Sequence, residues 1–402
     1  MQLARAMHMY GTPAHDLERS LYTVATKLGL EAEFFSTPTS LMVGTGHHER
    51  QRVRLMRVYP GNPNLGHLSA VEAITRDVTE GRATPQEGLK RVEALRTSAP
   101  RWPNWLQLVA FVLASAAVAT FLRVRTGSLF IALVLGLLAG LVTMLTQRVP
   151  RLTHVTVALA SIVVTTVAFA FDALTGRDSG YLTSLAGLVV LFPGLTFTVA
   201  LTELSTGHLA SGTARIAGAM VTFLGLGFGL ALGARFGGVV GQGIVEMAGE
   251  INGPWMSAMS LPTSIEWLGA VIAPLAFMVL LNAEARDAGW ILVSCLIAYA
   301  TARFTTDAFG DQLASFVSAA VVTALSNILA RLRGSSAMVT AVPGLLILVP
   351  GSIGFRSVSS MIGAEVEAGI ATAFHVAMIG ISLAAGIVAG SVFTSDPDRP
   401  QE

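Results

Sequence analysis

The sequence predicts an α-helical integral membrane protein with a small α+β domain at its N-terminus, from its composition and from where its charges lie. Of 402 residues, 52% are hydrophobic and 13% are charged, whereas a soluble globular protein carries about 25% charged residues. Residues 1–104 hold 13 Lys and Arg and 10 Asp and Glu, and the other 298 residues hold 28 charges. So few charges over such a length are typical of membrane-embedded sequence. We therefore expect a soluble domain over 1–104 and a membrane domain after it.

The net charge and the cysteine count exclude several classes of protein. The net charge is +1, which argues against the strongly basic surface that binds nucleic acid. Cys295 is the single cysteine, so a disulfide framework and a cysteine-based metal cluster are excluded. We predict no metal site, no cofactor and no nucleic-acid partner.

The N-terminal domain is expected to combine helices with a few strands. Pro13, Asp16 and Glu18 favour a helix start, and Gly29 favours its end. Helices are predicted at 13–29, 64–80 and 84–98, and strands at 32–36, 40–44 and 52–59. The last strand alternates as a half-buried strand does. The chain starts without an apolar run of signal-peptide length, so we expect this domain in the cytoplasm.

Five histidines in this domain leave a hydrolytic function open as an alternative: His8, His15, His47, His48 and His67. None of them falls in a nucleophile-elbow or metal-helix pattern. We therefore expect them to be surface or turn residues.

Ten apolar segments follow, each near the roughly 17–25 residues that a bilayer requires. They are 106–122, 128–147, 154–172, 181–203, 212–234, 264–283, 288–303, 311–330, 337–357 and 369–393. With a cytoplasmic N-terminal domain, ten spans place both termini in the cytoplasm.

The second group of five segments repeats the first at an offset of 157 residues. Gly187–Gly194 and Gly344–Gly351 are identical at five of eight positions. The same offset pairs Gly229 with Gly386. Because five is an odd number, the second copy enters the membrane from the opposite side, which makes an inverted repeat. The repeats are predicted at 105–235 and 264–393, with a Gly-rich extracytoplasmic connection at 236–263 (interfacial or re-entrant over 237–253) and a tail at 394–402.

Each copy carries a Pro-Gly pair inside an apolar helix. Proline removes a backbone hydrogen bond, and in a membrane such breaks survive where they face protein or a wet cavity. Paired breaks in two inverted halves point to a substrate site near the middle of the membrane, although a packing kink is the alternative. The predicted substrate-binding residues are Pro193, Gly194, Thr196, Thr198, Pro350, Gly351 and Ser352.

Ionisable residues near the membrane are the candidates for proton coupling, because burying them is costly and usually functional. These candidates are Asp172, Glu203, Arg215 and Asp307. For each one, a solvated charge at the interface is the alternative. Glu203 and Arg215 flank the connection between the fourth and fifth segments, close to the first break.

Several motifs together resemble the threonine/serine exporter family. They are the run 192–196 with Glu203, Ser211 and Arg215, the runs 337–344 and 348–352, and the N-terminal run 11–18. Ser336 stands where the family usually has proline. The resemblance covers the chain and implies a ten-span carrier of the inner (plasma) membrane that exports L-threonine and L-serine, driven by the proton motive force.

The leading hypothesis is therefore a secondary active amino-acid exporter, not an enzyme, that works by alternating access in a lipid bilayer. Two alternatives stay open, a membrane protein with a hydrolytic N-terminal domain and a passive channel for small solutes. A homodimer is compatible with the sequence.

Overall fold

The computed structural model describes residues 1–46, 51–59, 61, 63–99, 101–176, 179–249, 262, 264–349 and 366–394. Three of the predicted site residues, Pro350, Gly351 and Ser352, lie outside the described residues, as do His47 and His48.

The N-terminal region, residues 1–104, holds four short helices and a three-stranded sheet within its described part. The helices are α1 Gln2–Met9, α2 Ala14–Lys27, α3 Leu65–Thr79 and α4 Pro85–Thr97, and the strands are β1 Ala32–Thr37, β2 Ser40–Thr45 and β3 Arg52–Arg57. Thr84 and Glu87 cap α4 reciprocally, as their spacing predicts. Helix α1 was not predicted, because two turns are too short to show a helical period; it is held by its buried Ala4, Ala6 and Met7.

The sheet is antiparallel in the order β1-β2-β3. Leu41 and Val43 of β2 are buried in the core of the N-terminal region, and α2 packs beside β1. The prediction of a half-buried third strand holds only at its C-terminal end, where Met56 packs against the core and Val58 is 2% exposed; Val53 and Leu55 are 64% and 67% exposed. Alternation indicates a strand, but a second layer must cover one face before that face is buried, and β3 is an edge strand.

Ten further α-helices lie in the described part of the membrane region. They are α5 Asn104–Phe121, α6 Thr126–Gln147, α7 Thr156–Thr175, α8 Gly180–Leu188, α9 Gly194–Ser205, α10 Leu209–Ala248, α11 Ile265–Leu280, α12 Ala288–Arg333 and α13 Met338–Leu348, followed by a tenth, α14 Val366–Phe393. Six of these are long and apolar enough to cross a membrane, and the bent pair α8 and α9 would be a seventh if the two together form one span. Helices α11 and α13 are apolar but shorter.

Helix α12 contains two of the ten expected segments. Its 46 residues correspond to about 69 Å of helix, more than twice the thickness of a bilayer core. Gly310 breaks the helical geometry with φ 79° and ψ 169°. Asp287 and Arg333, at the two ends of α12, form an ion pair of 2.6 Å. The helix therefore doubles back at Gly310, and both of its ends lie at the same face of the membrane region.

Helix α10 runs past the end expected for the fifth segment. It continues to Ala248 as one helix of 40 residues, so the expected boundary at 235 falls inside it. Its glycines pack closely on α7: a Cβ at Gly229 would lie 2.4 Å from Ser161 Cβ, and one at Gly233 would lie 2.7 Å from the Ile162 carbonyl oxygen. Small residues allow such close approach of membrane helices.

The corresponding glycines of the second half make the equivalent contact. A Cβ at Gly386 of α14 would lie 2.3 Å from the Phe316 carbonyl oxygen, and one at Gly390 would lie 2.5 Å from that of Ala320. Phe316 and Ala320 belong to the second arm of α12. The third and fifth segments of each half therefore pack on each other through glycines at the same offset.

Candidate functional site

The first Pro-Gly pair separates α8 from α9. After a 3-10 turn over Val189–Leu191, Phe192 adopts an extended backbone with φ −68° and ψ 132°. Helix α9 then starts at Gly194, with the Phe197 N–H donating to the Pro193 carbonyl at 2.9 Å. The two helices meet at 59°. The predicted break is thus present, and the first backbone N–H groups of α9 lie at it.

The two predicted hydroxyls beside this break differ in exposure. Thr198 is 1% exposed, and among the described residues its Oγ1 has no hydrogen-bond partner. Thr196 is exposed. An unpartnered buried hydroxyl costs free energy, so Thr198 is a group that a ligand can satisfy.

Helix α9 lies among elements of the second half. It contacts α13, and Leu195 packs against the same apolar cluster as Leu346 and Ile347, which precede the second Pro-Gly pair. On another side, a Cβ at Gly380 of α14 would lie 2.4 Å from Leu201. The first break is therefore next to the helix that leads to the second.

Glu203 forms the most heavily bonded polar group of this area. Its side chain is fully buried and accepts hydrogen bonds from Ser211 Oγ at 2.7 Å and from Arg215 Nε at 2.9 and 3.1 Å. Arg215 has 17% of its side chain exposed. Glu203 and Arg215, 12 positions apart in the sequence, thus form an ion pair between α9 and α10 whose carboxylate is fully buried.

The turn between α9 and α10 brings these residues together. Gly207 takes φ +84°, a conformation that favours glycine, and the His208 N–H closes the turn on the Glu203 carbonyl at 2.8 Å. A Cβ at Gly212 would lie 2.8 Å from the Ala200 carbonyl oxygen. Two glycines therefore let α10 fold back against α9.

The N-terminal region completes the surroundings of Glu203. The backbone N–H of Ala14, the first residue of α2, donates to Glu203 Oε1 at 2.9 Å. Glu18, one turn further along α2, lies 3.4 Å from His208 Nε2 and accepts from the Ser36 N–H at 2.7 Å. The N-terminus of α2 thus sits on the end of the α9–α10 pair.

Sequence reasoning missed the histidines of this contact. His8 was expected at the surface, but it is 4% exposed and donates from Nε2 to the Thr37 carbonyl at 3.0 Å. Burial lowers the pKa of His8, and Arg215 acts in the same direction. The rings of His15 and His208 lie 6.1 Å apart. The signal that could have found them is the run 11–18, which the sequence singles out and which here meets Glu203.

The other two proton-coupling candidates lie apart from Glu203. Asp172 accepts from Ser179 N and Oγ, both at 2.9 Å, and from the Gly180 N–H; a carboxylate there stabilises the N-terminus of α8. Asp307 has 69% of its side chain exposed and pairs with Arg303 at 2.5 Å. Of the four candidates, the structure brings together Glu203 and Arg215.

The N-terminal region also contacts the second half. The Leu65 and Gly66 N–H groups, at the start of α3, donate to the carbonyls of Leu281 and Asn282 at 2.9 and 3.2 Å. Arg76 Nη1 donates to the Gly334 carbonyl at 2.7 Å. We call the end of the membrane region that makes these contacts the near face.

Glu72 and Ser336 form a polar contact on the near face. Ser336, where a proline is usual in the family that the sequence resembles, donates from Oγ to Glu72 Oε1 at 2.9 Å. Burial raises the pKa of Glu72 to about 7. This carboxyl group therefore titrates near neutral pH, at the junction between the N-terminal region and the second half.

A cavity of about 250 Å³ lies beside this junction, between α3 and the two ends of α12. Its charged residues are mutually paired: Arg333 with Asp287 at 2.6 Å, and Arg286 with Glu284 at 2.5 Å. Within the described part of the chain, no group of three His, Cys, Asp or Glu side chains could hold a metal ion.

Comparisons with known proteins give curated relatives at low sequence identity. The fission yeast Schizosaccharomyces pombe protein named "Uncharacterized protein C7D4.12c" is 24% identical over 88% of this chain and 47% of its own length. "Pheromone-regulated membrane protein 10" is 26% identical over 54% of this chain in Candida albicans and in Saccharomyces cerevisiae, covering 20% and 28% of those proteins. The chain thus spans less than half the length of these relatives. No solved structure matches.

Family models match nearly the whole chain. One model of threonine/serine exporters matches residues 1–237. A second, described as "Threonine/Serine exporter, ThrE", matches residues 266–393. Together with the apolar helices described above, these matches identify a multi-pass membrane protein. The chain belongs to the threonine/serine exporter family of membrane transporters.

Proposed function

We propose that this protein is a secondary active exporter of small amino acids, L-threonine and L-serine, driven by the proton motive force. It works in the inner (plasma) membrane, and both termini and the near face are cytoplasmic. The family matches support export of these amino acids. The observation that carries a coupled mechanism is Glu203, a fully buried carboxylate on the helix that starts at the first Pro-Gly break.

The architecture is proposed to be ten membrane segments in two inverted repeats of five. Several connections reach the near face: Ala283 accepts from Trp102 Nε1 at 3.2 Å, His208 meets Glu18, and Gly334 meets Arg76. Both ends of α12 lie there as well. At each of these connections one segment reaches the near face and the next leaves it. Successive segments therefore alternate in direction, as ten spans require. The matching glycine contacts at Gly229 and Gly386 support the repeat.

The substrate is proposed to bind between the two breaks, at Pro193, Gly194, Thr196 and Thr198 of the first half and at residues 350–352 of the second. The start of α9 offers backbone N–H groups and the positive end of a helix dipole, which suit a carboxylate. The buried Thr198 Oγ1 is available to a substrate hydroxyl or ammonium group. Residues on α13 and α14 surround α9, so binding here involves both halves.

Glu203 is proposed to carry the coupling proton, with Arg215 as the cation that replaces the proton when the carboxyl group is ionised. When Glu203 is protonated, it has no charge for Arg215 to neutralise. The site therefore alternates between a protonated Glu203 and an ion pair of Glu203 with Arg215. Asp172 and Asp307, retained as candidates by position, are a helix cap and an exposed ion pair respectively, and are the weaker proposals.

Labelled-threonine counterflow into proteoliposomes tests the transport function. We expect saturable exchange that competes with serine, and net accumulation against a threonine gradient when a pH gradient is imposed. Equilibration without accumulation would indicate a passive channel, and no saturable flux with or without a pH gradient would contradict the proposal. Liposomes without the protein are the control.

A further inference from the structure

The N-terminal region is bonded to both halves of the membrane region. On the first half, Ala14 meets Glu203 and Glu18 meets His208. On the second half, the start of α3 meets Leu281 and Asn282, and Arg101 Nη2 lies 3.0 Å from Glu284 Oε1. The region therefore bridges the near-face ends of the two halves.

The two sets of contacts differ in chemistry. On the second half, apolar packing and backbone hydrogen bonds stand beside polar side-chain contacts, so no single bond holds the region: Leu65 belongs to a buried cluster with Leu281, Met338 packs against the core of the N-terminal region, and Arg101 pairs with Glu284 in a partly exposed ion pair. On the first half the principal contact is a hydrogen bond to a carboxylate. Charge-assisted bonds are roughly twice as strong as neutral ones, and this one depends on whether Glu203 is ionised.

Helix α2 is oriented to hold that carboxylate. Pro13 precedes the helix with an extended backbone, φ −60° and ψ 155°, and Ala14 is the first helical residue. Its N–H has no partner within the helix, and the positive end of the helix dipole stabilises a nearby anion. Ala14 is 2% exposed, so water does not compete for the bond.

We propose that the N-terminal region is the inner gate of the carrier, a clamp across both halves that is closed by the bond from Ala14 to Glu203. The inference rests on the proposed function, because alternating access moves the halves relative to each other. A body bonded to both halves must release one of them. The region releases the first half when Glu203 takes up a proton and loses its charge, and it stays attached to the second half.

Other charged groups face the same junction and contribute to its pH dependence. Arg215 faces Glu203 from α10, His208 lies in the turn before it, and α1 and α2 bring further groups: His8, His15, Asp16 and Glu18. A shift in the pH dependence of transport is therefore attributed to the bond between Ala14 and Glu203 only when a substitution of Ala14 causes it.

Ala14→Pro isolates the bond, with Ala14→Gly as its matched control. Proline suits the first position of a helix and follows the extended Pro13, but it has no N–H to donate. Ala14→Gly removes the methyl group and keeps the N–H. Because a bond to the ionised form is lost only in Ala14→Pro, we expect the pH of half-maximal threonine exchange to rise by about one to two units there and to stay near wild type in Ala14→Gly. Equal pH profiles for the two variants would overturn the gate.

Reversible cross-linking tests the release itself and does not depend on how Ala14→Pro folds. The double variant Glu18→Cys/His208→Cys ties the N-terminal region to the first half, and Arg101→Cys/Glu284→Cys ties it to the second; Cys295 is buried. With a cleavable thiol cross-linker, we expect the first pair to lose exchange at least tenfold and regain it on reduction. The second pair is expected to exchange equally well cross-linked and reduced.

Exchange by the first pair while cross-linked, or loss by both pairs, would contradict the gate. Absence of exchange by the wild-type protein would instead contradict the proposed function, so the two failures are distinguishable.

Discussion

The backbone N–H of Ala14 donates a 2.9 Å hydrogen bond to Oε1 of Glu203, a residue 189 positions further along the chain. The bond joins two of the stretches of sequence that carry the resemblance to the exporter family, the run 11–18 and the run around Glu203. In the fold these stretches form one buried polar contact, which links the N-terminal region to the end of the helix that starts at the first break.

Removing the cation of the buried pair is expected to destabilise the protein. Arg215→Met leaves Glu203 with two of its donors and no counter-charge, and breaking a buried ion pair in this way costs about 3–5 kcal/mol. Thermal unfolding in detergent should show a lower midpoint at pH 8. Arg303→Met, which breaks the exposed pair with Asp307, is the control and should leave the unfolding midpoint near that of the wild-type protein. Equal losses in the two variants would contradict the account of the pair.

Thr198→Val tests whether the unpartnered hydroxyl serves the substrate. Valine has a similar shape but no hydroxyl, and loss of one hydrogen bond should raise the KM for threonine roughly 2- to 10-fold. Stability should not fall, because the hydroxyl has no partner among the described residues. Thr202→Val is the control: its hydroxyl bonds to the Thr198 carbonyl at 3.0 Å, and its KM should stay near wild type. A KM for Thr198→Val equal to that of wild type would remove this residue from the site.

Close helix packing in both halves predicts where an added methyl group is tolerated. Gly229→Ala and Gly386→Ala place a Cβ within 2.4 Å and 2.3 Å of a neighbouring helix, and overpacking of this kind costs about 1–3 kcal/mol. Gly225→Ala, on the same helix as Gly229, meets nothing within 4 Å and should be neutral or slightly stabilising. Unfolding midpoints in detergent decide this. Equal destabilisation at Gly225 and Gly229 would show that α7 and α10 do not pack as described.

Glu72 gives the attachment of the N-terminal region a pH dependence. Its pKa of about 7 lies above the ordinary value of 4.5, so the folded protein holds a proton that the unfolded chain releases. The free energy of unfolding should therefore fall as the pH rises from about 4.5 to about 7. Glu72→Gln keeps an acceptor for Ser336 Oγ and should remove this part of the dependence.

Hydrogen exchange of α3 at pH 5 and pH 8 measures this effect. In the wild-type protein we expect protection of α3 to be lower at pH 8 after correction for the intrinsic exchange rate, and in Glu72→Gln we expect similar protection at both values. A wild-type protein with unchanged protection would show that Glu72 does not titrate in this range.

Much of the helical framework follows from local sequence. The capping pair Thr84 and Glu87, the apolar character of the helices and the first Pro-Gly break all depend on residues close together in the sequence, and the described part of the structure has each of these features. Whether α12 is one span or two is decided by Gly310 and by the pairing of Asp287 with Arg333, which lie far apart in sequence. Similarly, the alternation of polar and apolar residues predicted strand β3, but it could not predict whether another layer of the fold covers that strand.

The candidate site was predictable only in part. The adjacency of Glu203 and Arg215 follows from a short connection between two helices, so the sequence could indicate it. The burial of His8 and the contact of Ala14 with Glu203 depend on how the N-terminal region docks, and no local pattern encodes that. The ionisable candidates Asp172 and Asp307 were chosen for their position near the end of a predicted span. That position does not distinguish a carboxylate that caps a helix from one in an exposed ion pair.

Threonine accumulation driven by a pH gradient, compared between the wild-type protein and Glu203→Gln in proteoliposomes, tests the central claim most directly. Glutamine has nearly the same shape but cannot exchange a proton near neutral pH. The account predicts that Glu203→Gln still exchanges labelled threonine for unlabelled threonine but no longer accumulates it when the gradient is imposed. Accumulation by Glu203→Gln equal to that of the wild-type protein would contradict the claim that this buried carboxylate couples proton movement to export.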